Sequence, residues 1–325
     1  MNPDKRPLGR REFLGASAMA MACAAAGVQE AEPVVDIHQH TDYGGKRDKA
    51  GNIVDPGRTN EQLLAHQKAM GVSRTVLLPA GREVRRPSTH QGSANGLQGT
   101  CGGNESCEKL AKAHPDRFVF GANEVPDLPD APEVLEKALK AGAVVIGEQK
   151  FGVACDSPEM EKLYALAEAY RVPILMHWQH TTYNAGFDRF GKILEKYSKV
   201  TFIGHAQTWW ANIDKNHQDQ SILYPKTKVT PGGRTDRYLA DYPNLYGDLS
   251  AGSGQNALSR DEDQAREFLA RHQSKLMFGS DCIDAEAQAP ACIGAGTLAL
   301  IRKLAPSPEI RRKILFENAK QVFRL

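Results

Sequence analysis

Eight short apolar runs, most of them separated by amphipathic stretches of helical length, follow one another between Val34 and Phe278. They are Val34 to Ile37, Thr75 to Leu78, Phe118 to Phe120, Val144 to Ile146, Val172 to Met176, Val200 to Ile203, Leu245 to Tyr246 and Leu276 to Phe278. Runs that are apolar throughout are what strands covered on both faces require. Between them the pattern predicts helices over Asn60 to Met70, Glu105 to His114, Pro132 to Ala141, Pro158 to Tyr170, Phe187 to Tyr197 and Asp261 to His272, and a terminal helix that includes Asn318 to Phe323. Thr59, and Ser157 ahead of Pro158, supply helix starts. Eight strands alternating with helices specify an α/β fold, the (β/α)8 TIM barrel. Two connections, Gly81 to Gly103 and Gly204 to Asn244, exceed what a turn needs and read as inserted active-site loops. No internal repeat or low-complexity linker divides the chain, so residues 33–325 read as one barrel domain.

Residues 1–32 are of another kind. Arg6, Arg10 and Arg11 precede Phe13 and Leu14, and the run from Ala16 to Ala26 is built almost wholly of Ala, Met, Cys, Gly and Ser. This is the layout of an export signal, and Gly9-Arg10-Arg11-Glu12-Phe13-Leu14-Gly15 looks like the twin-arginine type, with Gly9 where Ser or Thr is usual. The expected location is the periplasm. The apolar run is too short to span a bilayer, so no transmembrane anchor is expected.

The 325 residues carry 41 Lys and Arg against 39 Asp and Glu, a net charge of +2. That balance gives no electrostatic reason to expect nucleic acid or an anionic membrane as partner. A small-molecule substrate is the expected partner and a homo-oligomer the expected assembly. Beyond the leader stand Cys101, Cys107, Cys155, Cys282 and Cys292, with no Cys-x-x-Cys, so a thiol-based zinc site is not expected. Cys101 with Cys107, and Cys282 with Cys292, are spaced for short bridges or stand as separate thiols.

The chemistry concentrates where the apolar runs end. In Val34-Val35-Asp36-Ile37-His38-Gln39-His40 the two histidines share a strand face, an arrangement suited to zinc or a similar divalent ion. Taken alone, the pair equally describes one structural and one solvent-facing histidine. Other runs end in the same manner: Glu148 after Ile146-Gly147, His177 after Met176, His205 after Gly204 and Asp281 after Gly279-Ser280. Catalytic groups of a barrel gather at the carboxyl ends of its strands, so these five termini predict one shared mouth.

With those motifs in view, the chain resembles the amidohydrolase superfamily, in particular its group of amidohydrolase-related hydrolases and decarboxylases. The resemblance runs from Val34 to Phe323 and includes the late Ile314-Leu315-Phe316-Glu317-Asn318-Ala319. It implies that His38, His40, His177 and Asp281 surround a principal divalent metal, zinc first and manganese second, as one ion or two. It further implies that His205 ligates a second ion or orients substrate and water. On the fourth strand the superfamily uses a Glu, a carboxylated Lys or neither. Glu148 is favoured here as ligand, and Lys150 reads as a receptor for a substrate carboxylate or as a rim ion-pair partner.

The implied activity is hydrolysis of a small lactone, ester or amide by metal-activated water, with Asp281 carrying the proton and His205 stabilising the carbonyl oxygen. The alternative is metal-dependent decarboxylation of a small unsaturated or aromatic carboxylate. A non-catalytic, metal-stabilised binding barrel is a third reading. Trp178, Trp209 and Trp210, just after the site residues, could form an aromatic substrate wall or pin loops to the core. His180 is a rim candidate. Arg82, Arg85 and Arg86 read as a solvated loop face or an anion receptor.

Overall fold

The computed structural model describes residues 32–325 apart from positions 51, 52, 56, 90–96, 98 and 99. The export reading therefore falls almost wholly outside the described residues. Eight parallel strands form the centre: β1 Val35–Gln39, β2 Arg74–Leu77, β3 Phe118–Phe120, β4 Ile146–Gln149, β5 Ile174–His177, β6 Phe202–His205, β7 Leu245–Asp248 and β8 Leu276–Met277. β1 to β3 and β4 to β8 pair continuously. The two arcs join through Val144 N–H to Phe120 O and Ala122 N–H to Val145 O, each 2.8 Å, and through Ile37 N–H to Phe278 O at 3.1 Å. The result is the (β/α)8 TIM barrel that the apolar runs predict.

The barrel interior is filled from below. Val35, Ile37, Val76, Leu78, Val145, Leu175, Ile203 and Met277 pack together with Ala319 and Phe323 of the terminal helix Asn318–Phe323. A larger apolar layer between strands and outer helices includes Leu63, Leu135, Leu163 and Phe268. Thr59 caps Asn60–Ala69 in a reciprocal capping box with Gln62, and Ser157 caps Pro158–Tyr170. No described helix is long and apolar enough to cross a membrane.

The connection from Gly204 to Asn244 holds two helices that the sequence pattern does not announce, Gln207–Ala211 and Arg234–Asp241. The first turns Trp209 and Trp210 inward. Both indoles are buried, and Gly204 is what admits Trp209: a Cβ at that position would stand 2.5 Å from Trp209 Cδ2. Gly204→Ala is therefore expected to destabilise the fold by ~1–3 kcal/mol, the usual cost of overpacking a filled core, read as a lower urea midpoint at unchanged m-value.

The second helix is tied down by a buried hydrogen bond between Asp236 Oδ1 and His272 Nε2 at 2.6 Å. Burial disfavours the charged carboxylate, yet the His272 hydrogen bond and the Gly232 N–H, 2.7 Å away, more than offset it and leave the Asp236 pKa below its ordinary 3.8. A depressed folded-state value means the pair contributes fully above the unfolded pKa and loses its contribution as pH falls through the lower folded one. Asp236→Asn is expected to cost ~1.5–3 kcal/mol at neutral pH. The gap from wild type should narrow in unfolding titrations as pH falls below the carboxylate's ordinary value of 3.8 and through its lower folded-state value.

Of the two cysteine bridges considered, neither forms: all five described cysteines are free thiols. Arg82 pairs with Glu124 and Asp130, and Arg86 with Asp127, which makes the arginine segment a loop-fastening face.

Candidate metal centre

At the carboxyl ends of the strands the core gives way to a cluster of histidines and carboxylates. His177 and His205 follow Leu175 and Ile203 by two residues, so the alternation that buries those apolar side chains aims the histidines into the mouth, paired in register across β5 and β6. On β1 and β4 the alternation is broken by register shifts, between Asp36 and Gln39 and between Ile146 and Gln149. Such irregularities re-aim side chains. His38, His40 and Glu148 thereby join the cluster although Ile37 and Val145 point into the barrel.

Glu148 stands at the centre. Its Oε2 is 3.7 Å from both His38 Nε2 and His40 Nε2; its Oε1 is 2.5 Å from His177 Nδ1 and 3.6 Å from His205 Nε2. Ligand atoms of His38, His40 and Glu148 lie within 4.8 Å of one another, as do those of Glu148, His177 and His205. Asp281 closes the set from the end of β8. Its Oδ1 is 3.4 Å from His40 Nε2 and 3.7 Å from His38 Nε2, and its Oδ2 is 3.6 Å from His205 Nε2. Its side chain is 18% exposed, whereas those of Glu148, His38 and His40 are fully buried, so Asp281 is the carboxylate on the open side.

The hydrogen bonds behind the rings fit a divalent cation. His40 Nδ1 lies 2.7 Å from the Leu78 carbonyl oxygen, which only accepts, so the proton is on Nδ1. His38 Nδ1 lies 2.7 Å from Asp248 Oδ2, and His205 Nδ1 lies 3.3 Å from the same oxygen and 3.1 Å from Ser250 Oγ. Each ring thus commits one nitrogen to an outer oxygen and turns Nε2 inward, the arrangement that carboxylate-backed metal ligands adopt. Those three Nε2 atoms and Glu148 Oε2 are buried with no hydrogen-bond partner among the described residues. Orphaned donors and acceptors of this kind are too costly to leave without an occupant.

The electrostatics point the same way. Burial opposes charge on His38, yet Asp281 and Asp248 hold its pKa well above the ordinary value. For His40, burial is likewise outweighed by Cys101 and Asp281, which push it up to about 9. Burial dominates for His205, which drops to about 4 and is neutral. Glu148 and Asp281 stay ionised despite burial, Glu148 through Lys150 and His177 and Asp281 through His38 and His40. A buried centre that raises the proton affinity of two imidazoles is one that calls for positive charge, and a divalent ion meets that demand.

The remaining predicted residues divide. Lys150 stands beside the cluster, not in it: burial disfavours its charge, but Glu148 and Asp281 keep the ammonium protonated, and it lies 5.8 Å from the Tyr183 ring centroid. A cavity of about 640 Å3 opens next to the centre over the ends of β5 and β6. Trp178 and His180 line it, and Gln179 joins it to the cluster through a 3.4 Å approach to His177 Nε2. Trp178 is otherwise a core residue, packed on Phe187 and Phe190. Trp209 and Trp210 form no wall. Trp209 lies beneath Gly204, and Trp210 Nε1 donates to the Asp248 carbonyl at 2.8 Å. Their hydrophobic bulk is used in the core, which the sequence position alone does not distinguish from a pocket lining.

Asp248 and Ser250, which hold Nδ1 of His38 and His205, are the residues of the cluster that the sequence pattern does not announce. The seventh apolar run ends at Tyr246, yet the Gly247-Asp248 that follows repeats the glycine-then-ligand ending of Gly147-Glu148 and Gly204-His205. Cys101 also reaches His40, from the Gly-rich loop.

The amidohydrolase family matches residues 35–325, and the chain belongs to it. No curated protein matches the chain in sequence. Among solved structures, a probable 2-pyrone-4,6-dicarboxylic acid hydrolase from Acinetobacter baumannii is similar over 90% of this chain and 99% of its own, with 12% identity and a TM-score of 0.56. A 2,6-dihydroxybenzoate decarboxylase from Rhizobium is similar over the same shares, with 14% identity and a TM-score of 0.56. A 5-carboxyvanillate decarboxylase from Novosphingobium aromaticivorans, with bound manganese, is similar over 82% of this chain and 81% of its own, with 15% identity and a TM-score of 0.52. At these identities the likeness is one of fold. The chain is thus an amidohydrolase-family barrel with a buried His/Asp/Glu cluster built for a divalent metal.

Proposed function

We propose that this protein is a metal-dependent decarboxylase of a small hydroxylated aromatic carboxylate. The observation that carries the reading is Lys150, an ammonium held charged beside Glu148 and Asp281. A fixed cation beside the centre is a receptor for a substrate carboxylate, which sets aside a neutral lactone or ester and leaves substrates that carry a carboxylate. Two of the three structural neighbours described above are decarboxylases of hydroxylated benzoates, which supports the same choice. The hydrolase from Acinetobacter baumannii keeps lactone hydrolysis as the second reading.

His38, His40, Glu148 and Asp281 would hold the principal ion, zinc or manganese, with His177 and His205 available to a second. The ion would supply positive charge that polarises a substrate oxygen. Lys150 would orient the carboxylate. Asp281, ionised in the free protein and open to the mouth, takes the proton of the substrate hydroxyl and delivers it to the ring carbon that bears the carboxylate. The carbon–carbon bond then breaks, its electron pair returns to the ring and carbon dioxide leaves. Solvent reprotonates the phenolate. Neutral His205 lies 3.6 Å from Asp281 Oδ2, on the same side of the site.

The test is a panel of hydroxybenzoates and pyrone or sugar lactones, assayed with zinc and with manganese for carbon dioxide release and for ring opening. Lactone opening without any decarboxylation would overturn the reading. With an active carboxylate in hand, Lys150→Met is expected to raise KM by about 10–100-fold with a smaller effect on kcat, as loss of a charged substrate contact does. Periplasmic export belongs to the same proposal, and fractionation of wild type against an Arg10→Lys, Arg11→Lys variant tests it.

A further inference from the structure

We propose that His66, Cys282, Asp284 and Cys292 form a second, structural metal site that takes zinc. It lies outside the ligand set described above and stands whether that centre decarboxylates or hydrolyses. The four residues come from three places: His66 from the helix Asn60–Ala69, Cys282 and Asp284 from the segment after β8, and Cys292 from the N-cap of the helix Ile293–Leu304. One ligand atom from each lies within 4.8 Å of all the others.

Four of the six distances between the ligand atoms match a tetrahedron. Zinc bonds of about 2.3 Å to sulfur and about 2.0–2.2 Å to nitrogen and oxygen put tetrahedral ligands about 3.8 Å apart for two sulfurs, about 3.6 Å for sulfur and nitrogen and about 3.4 Å for nitrogen and oxygen. Here the two Sγ atoms are 3.7 Å apart, His66 Nε2 is 3.4 Å from each sulfur, and His66 Nε2 is 3.4 Å from Asp284 Oδ1. Two thiolates, an imidazole and a carboxylate are a donor set that zinc prefers over magnesium or calcium.

Hydrogen bonds already hold three of the four donors in place. Gln39 Nε2 donates to Cys282 Sγ at 3.2 Å, and the Ala295 N–H donates to Cys292 Sγ at 3.3 Å, so each sulfur receives the kind of hydrogen bond that stabilises a thiolate. Asp284 Oδ1 is positioned by the N–H groups of Glu286 and Ala287, at 3.1 and 3.0 Å, while its Oδ2 is buried and has no partner among the described residues. Buried Arg58 donates to the Asp284 carbonyl at 3.2 Å and sets a positive charge beside the anionic ligands. His66, Cys282 and Cys292 are themselves buried. The site would fasten the segment that begins one residue after Asp281, and Gln39, between His38 and His40, would carry that restraint to the barrel mouth.

The test uses the full chain, purified under non-reducing conditions and loaded with zinc alone. Wild type is expected to hold about one zinc per chain more than Cys292→Ser, while His38→Ala, which strips the first centre, keeps this zinc. The two centres are thereby told apart. Should Cys292→Ser fail to fold, alkylation of wild type decides: Cys282 and Cys292 should be protected by zinc and exposed by a chelator, as read from their peptides by mass. Equal zinc in wild type and Cys292→Ser, alkylation indifferent to zinc, or a Cys282–Cys292 disulfide in the purified protein would each overturn the proposal.

Discussion

Asp281→Asn should lower kcat by about 10³-fold or more while the thermal midpoint stays within a few degrees of wild type. Asparagine keeps the shape of the side chain, and so its packing between His38, His40 and His205, all 3.4–3.7 Å away. It loses the ability to take up and deliver a proton, which is the role the open-side carboxylate has in the proposed reaction. It also removes one of the negative charges that hold His38 above its ordinary pKa, so metal content must be measured alongside rate. Full turnover with full metal occupancy in the variant would remove Asp281 as the proton carrier.

The second large effect concerns the metal itself. His38→Ala should lose the principal ion, read by elemental analysis of the folded protein, because the lost Nε2 is one of the buried atoms without another partner. Asp248→Asn tests a subtler part of the design. One carboxylate oxygen, Oδ2, receives Nδ1 of both His38, at 2.7 Å, and His205, at 3.3 Å. An asparagine can present its NH2 group instead, which would move the ring proton to Nε2 and take away the lone pair a cation needs. Affinity is expected to fall by about 10–100-fold, the usual cost of losing such a backing carboxylate, as measured by chelator competition. Unchanged affinity would show that Asp248 does not set the tautomers.

The barrel was legible because parallel strands covered on both faces must be apolar, and eight such runs with helices between most of them match the strand count of a closed (β/α)8 barrel. Strand ends were less so. β1, β4, β5, β6 and β7 all continue one to three residues beyond the apolar run, and those extra residues include His38, Glu148, His177, His205 and Asp248. A hydropathy pattern stops where the strand turns polar, which at a barrel mouth is where function begins. Ala251–Ser259 escaped notice because its sequence, AGSGQNALS, is rich in Gly and Ser and weakly amphipathic. The inward turn of Trp209 depends on the space at Gly204, a tertiary fact with no local signature. The Cys282, Cys292, His66 and Asp284 cluster has no Cys-x-x-Cys spacing to betray it; only folding brings its helix and its loop together.

The seam between the first and last strands, closed by Ile37 N–H on Phe278 O and Asp281 N–H on His38 O, joins segments that are made far apart in time during translation. His38 and His40 leave the ribosome early and wait, while Asp281 emerges only after most of the polypeptide has been made. A nascent chain therefore carries an incomplete set of donors until Asp281 has been made, and capture of the ion follows that point. Loss of the C-terminal stretch that carries Ala319 and Phe323, the plug of the barrel floor, should accordingly deprive the opposite end of its cation as well.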